Sequence, residues 1–276
     1  MKVVLFCGGL GLRVRDYSQN VPKPMLPIGS RPILWHVMRY YAHYGHKDFI
    51  LCLGYRAECI KDYFLNYNEA AANDCVIKIN GGGHSIELLA NDMHDWRITL
   101  VDTGYSANIG GRLKAVEKYV RDEEMFLANY SDNLTDFPLP HLIDKVKATG
   151  KVAGFLAVKP DLSYHLVSFG QGNMVSAINE IRDTDIWING GNFVLRPRIF
   201  DYMEDGEELV TAPFARLIEE GELLGCQYEG FWSPLDTFKD KQRLDDLYEK
   251  DRAPWEIWKS TTGKGMLTKG NGHDFL

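Results

Sequence analysis

Over its first 130 residues the sequence alternates short apolar runs with amphipathic segments, and this alternation restricts the fold more than any other feature. Short apolar runs predict buried strands, whereas apolar residues repeated at three- and four-residue intervals predict helices. The predicted strands are 3–7, 48–53, 99–102 and 125–130, and the predicted helices are 31–44, 57–67 and 111–120. Strands that alternate with helices form a parallel sheet with helices on both faces. We therefore predict an α/β fold with a doubly wound, mainly parallel sheet.

The chain after residue 150 has a different pattern. Strand-like runs follow one another with few helical signals between them, at 152–159, 164–169, 174–179 and 188–195. Such a succession of strands predicts a smaller mixed or antiparallel β extension that covers the open end of the sheet. Later helices are predicted at 212–220 and 238–250, and the polar segment 68–95 is predicted to be a long excursion.

A glycine-rich loop follows the first predicted strand and contains Gly8, Gly9, Gly11 and Arg13. Glycines allow backbone N–H groups to approach a phosphate chain without a Cβ clash. Arg13, and Lys23 further along, add positive charge that would bind the same anion. In parallel sheets ligands bind beyond the carboxyl ends of the strands, where this loop begins. The pattern predicts a site for a nucleoside triphosphate, with Arg13 and Lys23 as the candidate catalytic cations.

Other glycine-loop motifs do not fit this sequence. The dinucleotide-binding pattern requires a glycine where Val14 stands, and no P-loop pattern is present. A tight turn is the alternative interpretation of the loop. A rigid surface turn is the alternative for Lys23, because Pro22 and Pro24 flank it. No Ser/His/Asp or Cys/His arrangement indicates a covalent nucleophile, and the histidines of the 31–44 helix are interpreted as surface or boundary residues.

Two acidic residues are candidate metal ligands. Asp132 follows the predicted strand at 125–130, and Asp236 precedes the predicted helix at 238–250. Carboxylate oxygens bind Mg²⁺, so the pair would form an oxygen-ligand site beside the phosphates. An Asx turn is the alternative for Asp132, and an N-cap is a second role for Asp236.

Two further glycine motifs adjoin predicted elements. Gly111 and Arg112 open a helix, where N–H groups and a guanidinium suit a nucleotide phosphate or base, although a simple helix start explains them equally well. Asn189 and Gly190 lie at a strand, where a glycine permits a ligand to approach closely.

Composition excludes several classes of protein. The 276 residues suffice for one large or two small domains, and an apolar fraction of 45% supports a core. A net charge of −7 is unfavourable for general nucleic-acid binding. No apolar run approaches the roughly 18 residues of a membrane span, and no secretory signal is expected. Five scattered cysteines without a C-x-x-C spacing indicate neither a zinc site nor a disulfide framework, so a cytoplasmic location is expected.

Eight short motifs occur in a fixed order along the chain. They are Gly8-Gly9-x-Gly11-x-Arg13, Lys-Pro-Met at 23–25, Pro-Ile-Leu-Trp-His at 32–36, Val-Asp-Thr-Gly at 101–104, Gly-Gly-Arg-Leu-Lys at 110–114, Ile-Asn-Gly-Gly-x-Phe-Val-Leu at 188–195, Gly-Phe-Trp-x-Pro-x-Asp at 230–236 and Ala-Pro-Trp at 253–255. The ordered set resembles the sugar-phosphate nucleotidylyltransferases, and among them the cytidylyltransferases, as far as about residue 258. The resemblance implies a Rossmann-like nucleotidyltransferase fold, CTP as the nucleotide and Mg²⁺ as the cofactor. It also makes a homo-oligomer one expected state of assembly.

The resemblance assigns roles to individual residues. Those implied to contact the nucleotide are Gly8, Gly9, Gly11, Arg13, Lys23, Gly111, Arg112 and Asp132. Those implied to bind the metal are Asp132 and Asp236. We place Tyr130, Glu180, Arg182, Asn189 and Gly190 on the acceptor side. Residues 1–258 are accordingly expected to form one domain, with a nucleotide-binding half at about 1–135, an acceptor-binding half at about 136–258, and a flexible tail at 259–276.

The chain departs from the family pattern at three places. Leu12 replaces the usual threonine, and Ser-Asp-Asn at 131–133 replaces Gly-Asp-Gly. The family's Glu-Lys-Pro motif, whose lysine holds the acceptor phosphate, is Asn-Glu-Ile at 179–181. Glu180 in the lysine's place would repel a phosphate. Arg182 lies two residues further on, which in a strand returns to the same face and would compensate.

These observations together predict a Mg²⁺-dependent nucleotidylyltransferase that uses CTP and a phosphate monoester. Because of the departure at 179–181, the expected acceptor is a modified sugar phosphate or a non-sugar phosphate rather than plain glucose 1-phosphate. The alternatives are a nucleotide-binding regulatory homologue without turnover and a glycosyltransferase that uses a nucleotide sugar.

Overall fold

The computed structural model describes residues 1–9, 21–161 and 164–262. The strands of this part of the chain are β1 (Lys2–Phe6), β2 (Pro27–Ile28), β3 (Arg31–Pro32), β4 (Asp48–Leu53), β5 (Cys75–Asn80), β6 (Gly83–Leu88), β7 (Arg97–Asp102), β8 (Phe126–Asn129), β9 (Asn133–Thr135), β10 (Ala153–Val158), β11 (His165–Phe169), β12 (Val175–Glu180), β13 (Ile188–Leu195), β14 (Leu223–Tyr228) and β15 (Trp232–Pro234). The α-helices are α1 (Ile33–His43), α2 (Ala57–Leu65), α3 (Glu69–Ala72), α4 (Ile109–Ala115), α5 (Glu117–Val120), α6 (Pro140–Thr149), α7 (Ala212–Glu219), α8 (Phe238–Glu249) and α9 (Ile257–Thr262).

The central sheet contains seven of these strands in the order β14-β10-β13-β8-β1-β4-β7. Every neighbouring pair is parallel except the two pairs that involve β13, which is antiparallel to β8 and to β10. The carboxyl ends of the other six strands therefore lie at one edge of the sheet, together with the start of β13. The predicted doubly wound, mainly parallel α/β fold is confirmed.

Apolar residues of β1 alternate between two cores, as expected for a strand covered on both faces. Val3 and Leu5 pack in a core formed with α1, α2, α6 and α8. Val4 and Phe6 pack in a second core formed with α4, α5 and α7. No helix among the described residues is long and apolar enough to cross a membrane.

The predicted β extension is only partly correct. β10 and β13 belong to the main sheet, whereas β11 and β12 form a separate, largely exposed hairpin. The 68–95 excursion contains α3 and the β5–β6 hairpin, whose strands pair antiparallel.

The tail predicted from residue 259 begins within α9, which extends through Thr262, and its flexibility stays a prediction. The Lys259 ammonium lies 2.7 Å from Glu256 and 3.0 Å from Asp251, and these ion pairs hold the start of α9 to the preceding loop. Residues 263–276 lie outside the described part of the chain.

Candidate active site

The candidate active site lies at the edge of the sheet where β1 and β8 end. Gly8 and Gly9 follow β1 there, and Asp132 follows β8. Gly11 and Arg13, which we predict to contact the triphosphate, lie outside the described residues. Their proposed roles therefore remain predictions from the sequence.

Lys23 is presented by a single 3₁₀ turn, Lys23–Met25. The N–H of Met25 donates to the carbonyl of Pro22 at 2.8 Å, and the N–H of Leu26 donates to that of Lys23 at 3.1 Å. Because the prolines on both sides fix their own φ angles, the backbone that carries Lys23 is restricted to this turn. The rigid turn and the functional interpretation of Lys23 are thus compatible.

The Lys23 ammonium lies between the two predicted metal-binding carboxylates. Its Nζ donates to Asp132 Oδ2 at 2.6 Å and to Asp236 Oδ1 at 2.5 Å. The lysine side chain is only 13% exposed, and those of Asp132 and Asp236 are 25% and 37% exposed. The structure therefore brings together three side chains that are more than a hundred residues apart in sequence, as their positions next to predicted elements led us to expect.

Burial and charge act in opposite directions on this cluster. Burial lowers the pKa of Lys23, but the carboxylates of Asp132 and Asp236 outweigh it and raise the pKa above its ordinary value. Burial raises the pKa of Asp132, and the Lys23 ammonium counteracts that increase only in part. Lys23 is therefore charged at neutral pH, and the cluster holds one cation against two acidic groups.

The position of Asp132 is fixed by the residue before it. Ser131 is fully buried and has a φ of 65°, in the left-handed region. Its N–H donates to Asn129 Oδ1 at 2.6 Å, and its hydroxyl lies within hydrogen-bond distance of the carbonyls of Tyr130, at 2.6 Å, and Phe6, at 2.8 Å. These bonds turn the chain sharply after β8 and join it to the end of β1. The change from glycine to serine was visible in the sequence, but this supporting role was not.

Asp236 is fixed by the start of α8 without being its cap. Thr237 is the N-cap, and it forms a capping box with Asp240. The N–H of Asp236 also donates to Asp240 Oδ2, at 3.1 Å. The predicted capping role of Asp236 is therefore wrong, and its carboxylate is directed to Lys23. The N–H of Leu235 donates to the carbonyl of Asp132 at 2.8 Å, which links the two acidic segments.

Arg112 has other partners than the nucleotide that we predict for it. Its guanidinium is buried and donates to the carbonyls of Gly8 (2.8 Å), Leu53 (3.0 Å) and Gly104 (3.1 Å) and to the hydroxyl of Thr103 (2.8 Å). Burial lowers the pKa of Arg112. Its side chain thus joins the ends of β1, β4 and β7. We call this set of bonds the Arg112 clamp.

The glycines around the clamp have packing roles. A Cβ on Gly8 would lie 2.0 Å from the guanidinium of Arg112, so Gly8 leaves room for that side chain. A Cβ on Gly110 would lie 2.1 Å from the carbonyl oxygen of Glu207. The N–H of Gly111, predicted to face a phosphate, donates to the Asn108 side chain at 2.8 Å, which caps α4. The simple helix start therefore explains the glycines at this position.

The predicted acceptor residues Tyr130 and Asn189 lie side by side. The Asn189 amide donates to the Tyr130 hydroxyl at 3.0 Å, and its oxygen accepts from the N–H of Gly191 at 2.9 Å. The carbonyl of Gly190 accepts from the Trp232 indole at 2.8 Å. Trp232 belongs to β15, which leads directly to Asp236. Trp232 lies within the Gly-Phe-Trp-x-Pro-x-Asp motif at 230–236, but the sequence did not lead us to predict a role for it.

A cavity of about 250 Å³ adjoins Trp232 and is lined by Lys159, Arg182 and Arg243, among others. Lys159 donates to the carbonyl of Thr184, and Arg243 pairs with Asp161. Within the part of the chain that the structure describes, no ion pair engages Arg182.

Glu180 does not line this cavity, contrary to the expected acceptor set. It is the last residue of β12 and is exposed, and the chain turns into a 3₁₀ segment at Ile181–Asp183. Arg182 therefore does not lie on the same strand face as Glu180. The prediction that Arg182 compensates for the charge of Glu180 from that face is wrong.

Comparison with known proteins identifies the family. A model of the family described as "Nucleotidyl transferase" matches residues 2–249. The chain belongs to this family. It is 39% identical over 259 residues to glucose-1-phosphate cytidylyltransferase of Salmonella typhimurium, covering 94% of this chain and 100% of that protein. It is 35% identical over 260 residues to the "Probable glucose-1-phosphate cytidylyltransferase" of Bacillus subtilis, again over 94% and 100% of the two chains. The chain is therefore a sugar-phosphate nucleotidylyltransferase by family and by class of activity.

A solved structure supports the fold of this nucleotidylyltransferase. UDP-glucose pyrophosphorylase complexed with UDP-glucose superposes with a TM-score of 0.66 over 91% of this chain and 99% of that one, at 16% identity. This superposition supports the fold, and the family assignment rests on the sequence matches.

The residues of the cluster fit a magnesium ion. The described residues contain no group of three or more His, Cys, Asp or Glu side chains that would enclose a metal by themselves. Mg²⁺ does not require such a group, because it is commonly bound by one or two carboxylates together with water and substrate phosphates. Asp132 and Asp236 supply this number of carboxylates around one point. They are the residues that would hold the ion.

Proposed function

We propose that this nucleotidylyltransferase joins CTP to a phosphate monoester in the presence of Mg²⁺, giving a CDP-linked product and pyrophosphate. The observation that carries the proposal is the Lys23 ammonium between Asp132 and Asp236, beside the glycines that follow β1. The choice of CTP is supported by the two bacterial relatives named as cytidylyltransferases.

The proposed reaction requires no nucleophilic side chain. An oxygen of the acceptor phosphate bonds to the α-phosphorus of the nucleotide, and the bond from that phosphorus to the oxygen bridging to the β-phosphate breaks. Pyrophosphate leaves with the electron pair. Catalysis then consists of positioning and charge neutralisation. Lys23 would bind the triphosphate oxygens, Asp132 and Asp236 would hold the metal, and a bound Mg²⁺ would supply neutralisation of phosphate charge.

The acceptor would lie between Asn189 and the cavity beside Trp232. Asn189 is oriented by Tyr130, and Trp232 is oriented by the carbonyl of Gly190. Arg182 is the cation that supplies charge to the acceptor's anionic group, in place of the lysine that the chain lacks at 180. Because Arg182 takes the place of that lysine, we expect the acceptor to be a modified sugar phosphate rather than plain glucose 1-phosphate.

The test is an assay of pyrophosphate release with each of the four ribonucleoside triphosphates, Mg²⁺ and a panel of phosphate monoesters that includes glucose 1-phosphate. We expect release with CTP and a modified acceptor. D132N and D236N should each lower turnover by about 10²-fold or more, as removal of electrostatic groups generally does. R182Q should raise KM for the acceptor more than it lowers kcat.

K78M, in the exposed β5–β6 hairpin, serves as the control and should retain full activity. Absence of pyrophosphate release with every pair would overturn the proposal. In that case CTP binding measured by calorimetry would support a regulatory homologue instead.

A further inference from the structure

The Lys23 ammonium affects the binding of a metal ion as well as that of the phosphates. Its Nζ contacts one oxygen of each carboxylate that would hold the metal, at 2.6 Å for Asp132 and 2.5 Å for Asp236. A divalent ion bound by the same two carboxylates would require oxygens at about 2.0–2.1 Å. The ammonium and the metal ion would therefore compete for the same acceptors.

The charges of the cluster make this competition strong. Two carboxylates attract one cation in a partly buried setting, where interactions between charges are less screened than at the surface. The hydrogen bonds to the ammonium are short and charge-assisted, and such bonds are stronger than neutral ones. A metal ion that takes the same two oxygens in the nucleotide-free protein must break both of them.

The local backbone restricts how Lys23 can move away from Asp132 and Asp236. Its backbone is held in the 3₁₀ turn between Pro22 and Pro24, and Pro24 is buried. An exchange must therefore take place by rotation of the lysine side chain rather than by displacement of the loop. The polyanionic phosphates of a nucleotide beside Gly8 and Gly9 would offer the ammonium other oxygen partners.

We propose that Lys23 is an internal cation that excludes divalent metal from Asp132 and Asp236 until a nucleotide triphosphate draws its ammonium away. Nucleotide and metal then bind with positive coupling, and by linkage each increases the affinity for the other. This inference rests on the proposed function only in taking Asp132 and Asp236 as the metal ligands.

The test measures Mn²⁺ binding to the full-length protein without nucleotide, by electron paramagnetic resonance of the free ion. The wild type should bind weakly. K23M removes the competing cation and should bind Mn²⁺ at least about tenfold more tightly, since close charge pairs commonly couple by more than that factor. K23M combined with D132N should lose the gain, because one of the two carboxylates is then neutral.

Lys78→Met is the matched control, because Lys78 also pairs with one carboxylate, Glu87, at 2.9 Å, but lies in the β5–β6 hairpin. It should leave Mn²⁺ affinity unchanged. If K23M has the circular dichroism spectrum of the wild type but binds Mn²⁺ no more tightly, the inference is wrong. This result is independent of whether the assay with CTP releases pyrophosphate.

A measurement on the wild type keeps the inference testable if K23M does not fold. Acylation of amines, located by mass spectrometry, should modify Lys23 slowly in the metal-free protein. Saturating Mn²⁺ should increase modification of Lys23 and leave that of Lys78 unchanged. Equal modification of Lys23 with and without Mn²⁺ would contradict the exchange.

Discussion

Ser131 adopts a backbone conformation that costs a residue with a side chain about 1–2 kcal/mol. Its φ is 65°, and the hydroxyl bond to the Phe6 carbonyl offsets part of this cost. Such a bond contributes about 0.5–1.5 kcal/mol. The turn that presents Asp132 is thus a balance between backbone strain and the buried hydrogen bonds of Ser131.

The two small substitutions at residue 131 separate these contributions. Ser131→Ala retains the strain and leaves the Phe6 carbonyl without its donor, so we expect it to lower the free energy of unfolding by about 1–2 kcal/mol. Ser131→Gly also loses the bond but relieves the strain, so its stability should stay within about 1 kcal/mol of the wild type. Urea denaturation measures both, with the exposed Ser85→Ala as the control. Equal stability of the alanine and glycine variants would refute this account.

At the same scale, the sequence predicts which charged residues meet but not how their neighbours hold them. Lys23, Asp132 and Asp236 adjoin a recognisable turn, a strand end and a helix start, so their approach follows from the parallel sheet and the ordered motifs. The direction of the Arg112 side chain depends on carbonyls from three distant strands. No local sequence pattern indicates hydrogen-bond partners that are so distant in the chain.

Among the secondary-structure elements, the buried strands are the most predictable. The predicted bounds of β4 and β13 agree with the structure at both ends, because long apolar runs bounded by turn residues identify buried strands. The end of β12 is not predictable in the same way. Its hairpin is exposed and its apolar residues have no core to face, so the sequence does not indicate that the chain turns after Glu180.

Because the Arg112 clamp joins the ends of β1, β4 and β7, we expect substitution of Arg112 to affect all three strands. Arg112→Met removes the bonds to Gly8, Leu53, Thr103 and Gly104, although the Gly8 carbonyl keeps the N–H of Tyr55 and the Leu53 carbonyl keeps that of Thr103. We expect a loss of about 3 kcal/mol or more in the free energy of unfolding, since a hydrogen bond to a charged group contributes about 1.5–3 kcal/mol. Hydrogen exchange should increase at the carboxyl ends of β1, β4 and β7.

The control for the clamp is Arg97→Met at the start of β7. The Arg97 side chain is 76% exposed and lies 3.4 Å from Asp48, so its loss should cost less than about 1 kcal/mol. An Arg112→Met variant as stable as Arg97→Met would show that the clamp contributes little. Arg112→Lys should be intermediate, because a lysine keeps the charge but cannot donate in a fork.

For the whole molecule, the described C-terminal segment is part of the core rather than an appendage. β15 pairs with β9, which joins residues 232–234 to residues 133–135. Trp255 is buried, and its indole donates to His36 Nδ1 at 3.3 Å. His36 Nε2 bonds to the carbonyl of Ile28 at 3.0 Å. The expected surface or boundary position of His36 is wrong, because the sequence does not show that the segment after α8 covers this face of α1.

This buried histidine makes the stability of the entire fold depend on pH. Its neutral Nε2–H tautomer satisfies both partners, whereas a proton on Nδ1 would face the indole donor. The pKa of His36 is lowered to about 4, mainly by burial; the bond to the Ile28 carbonyl counteracts this in part, and the charges of Arg31 and Lys259 add to the lowering. The unfolded chain, with a histidine pKa of about 6.5, binds the proton more readily, so stability is complete above that pH and falls as the pH drops toward 4. His36→Asn should remove about 2 kcal/mol of this pH-dependent difference, measured by urea denaturation between pH 7 and 5. The exposed His84→Asn should keep the wild-type slope, and an unchanged slope in His36→Asn would assign the dependence to other groups.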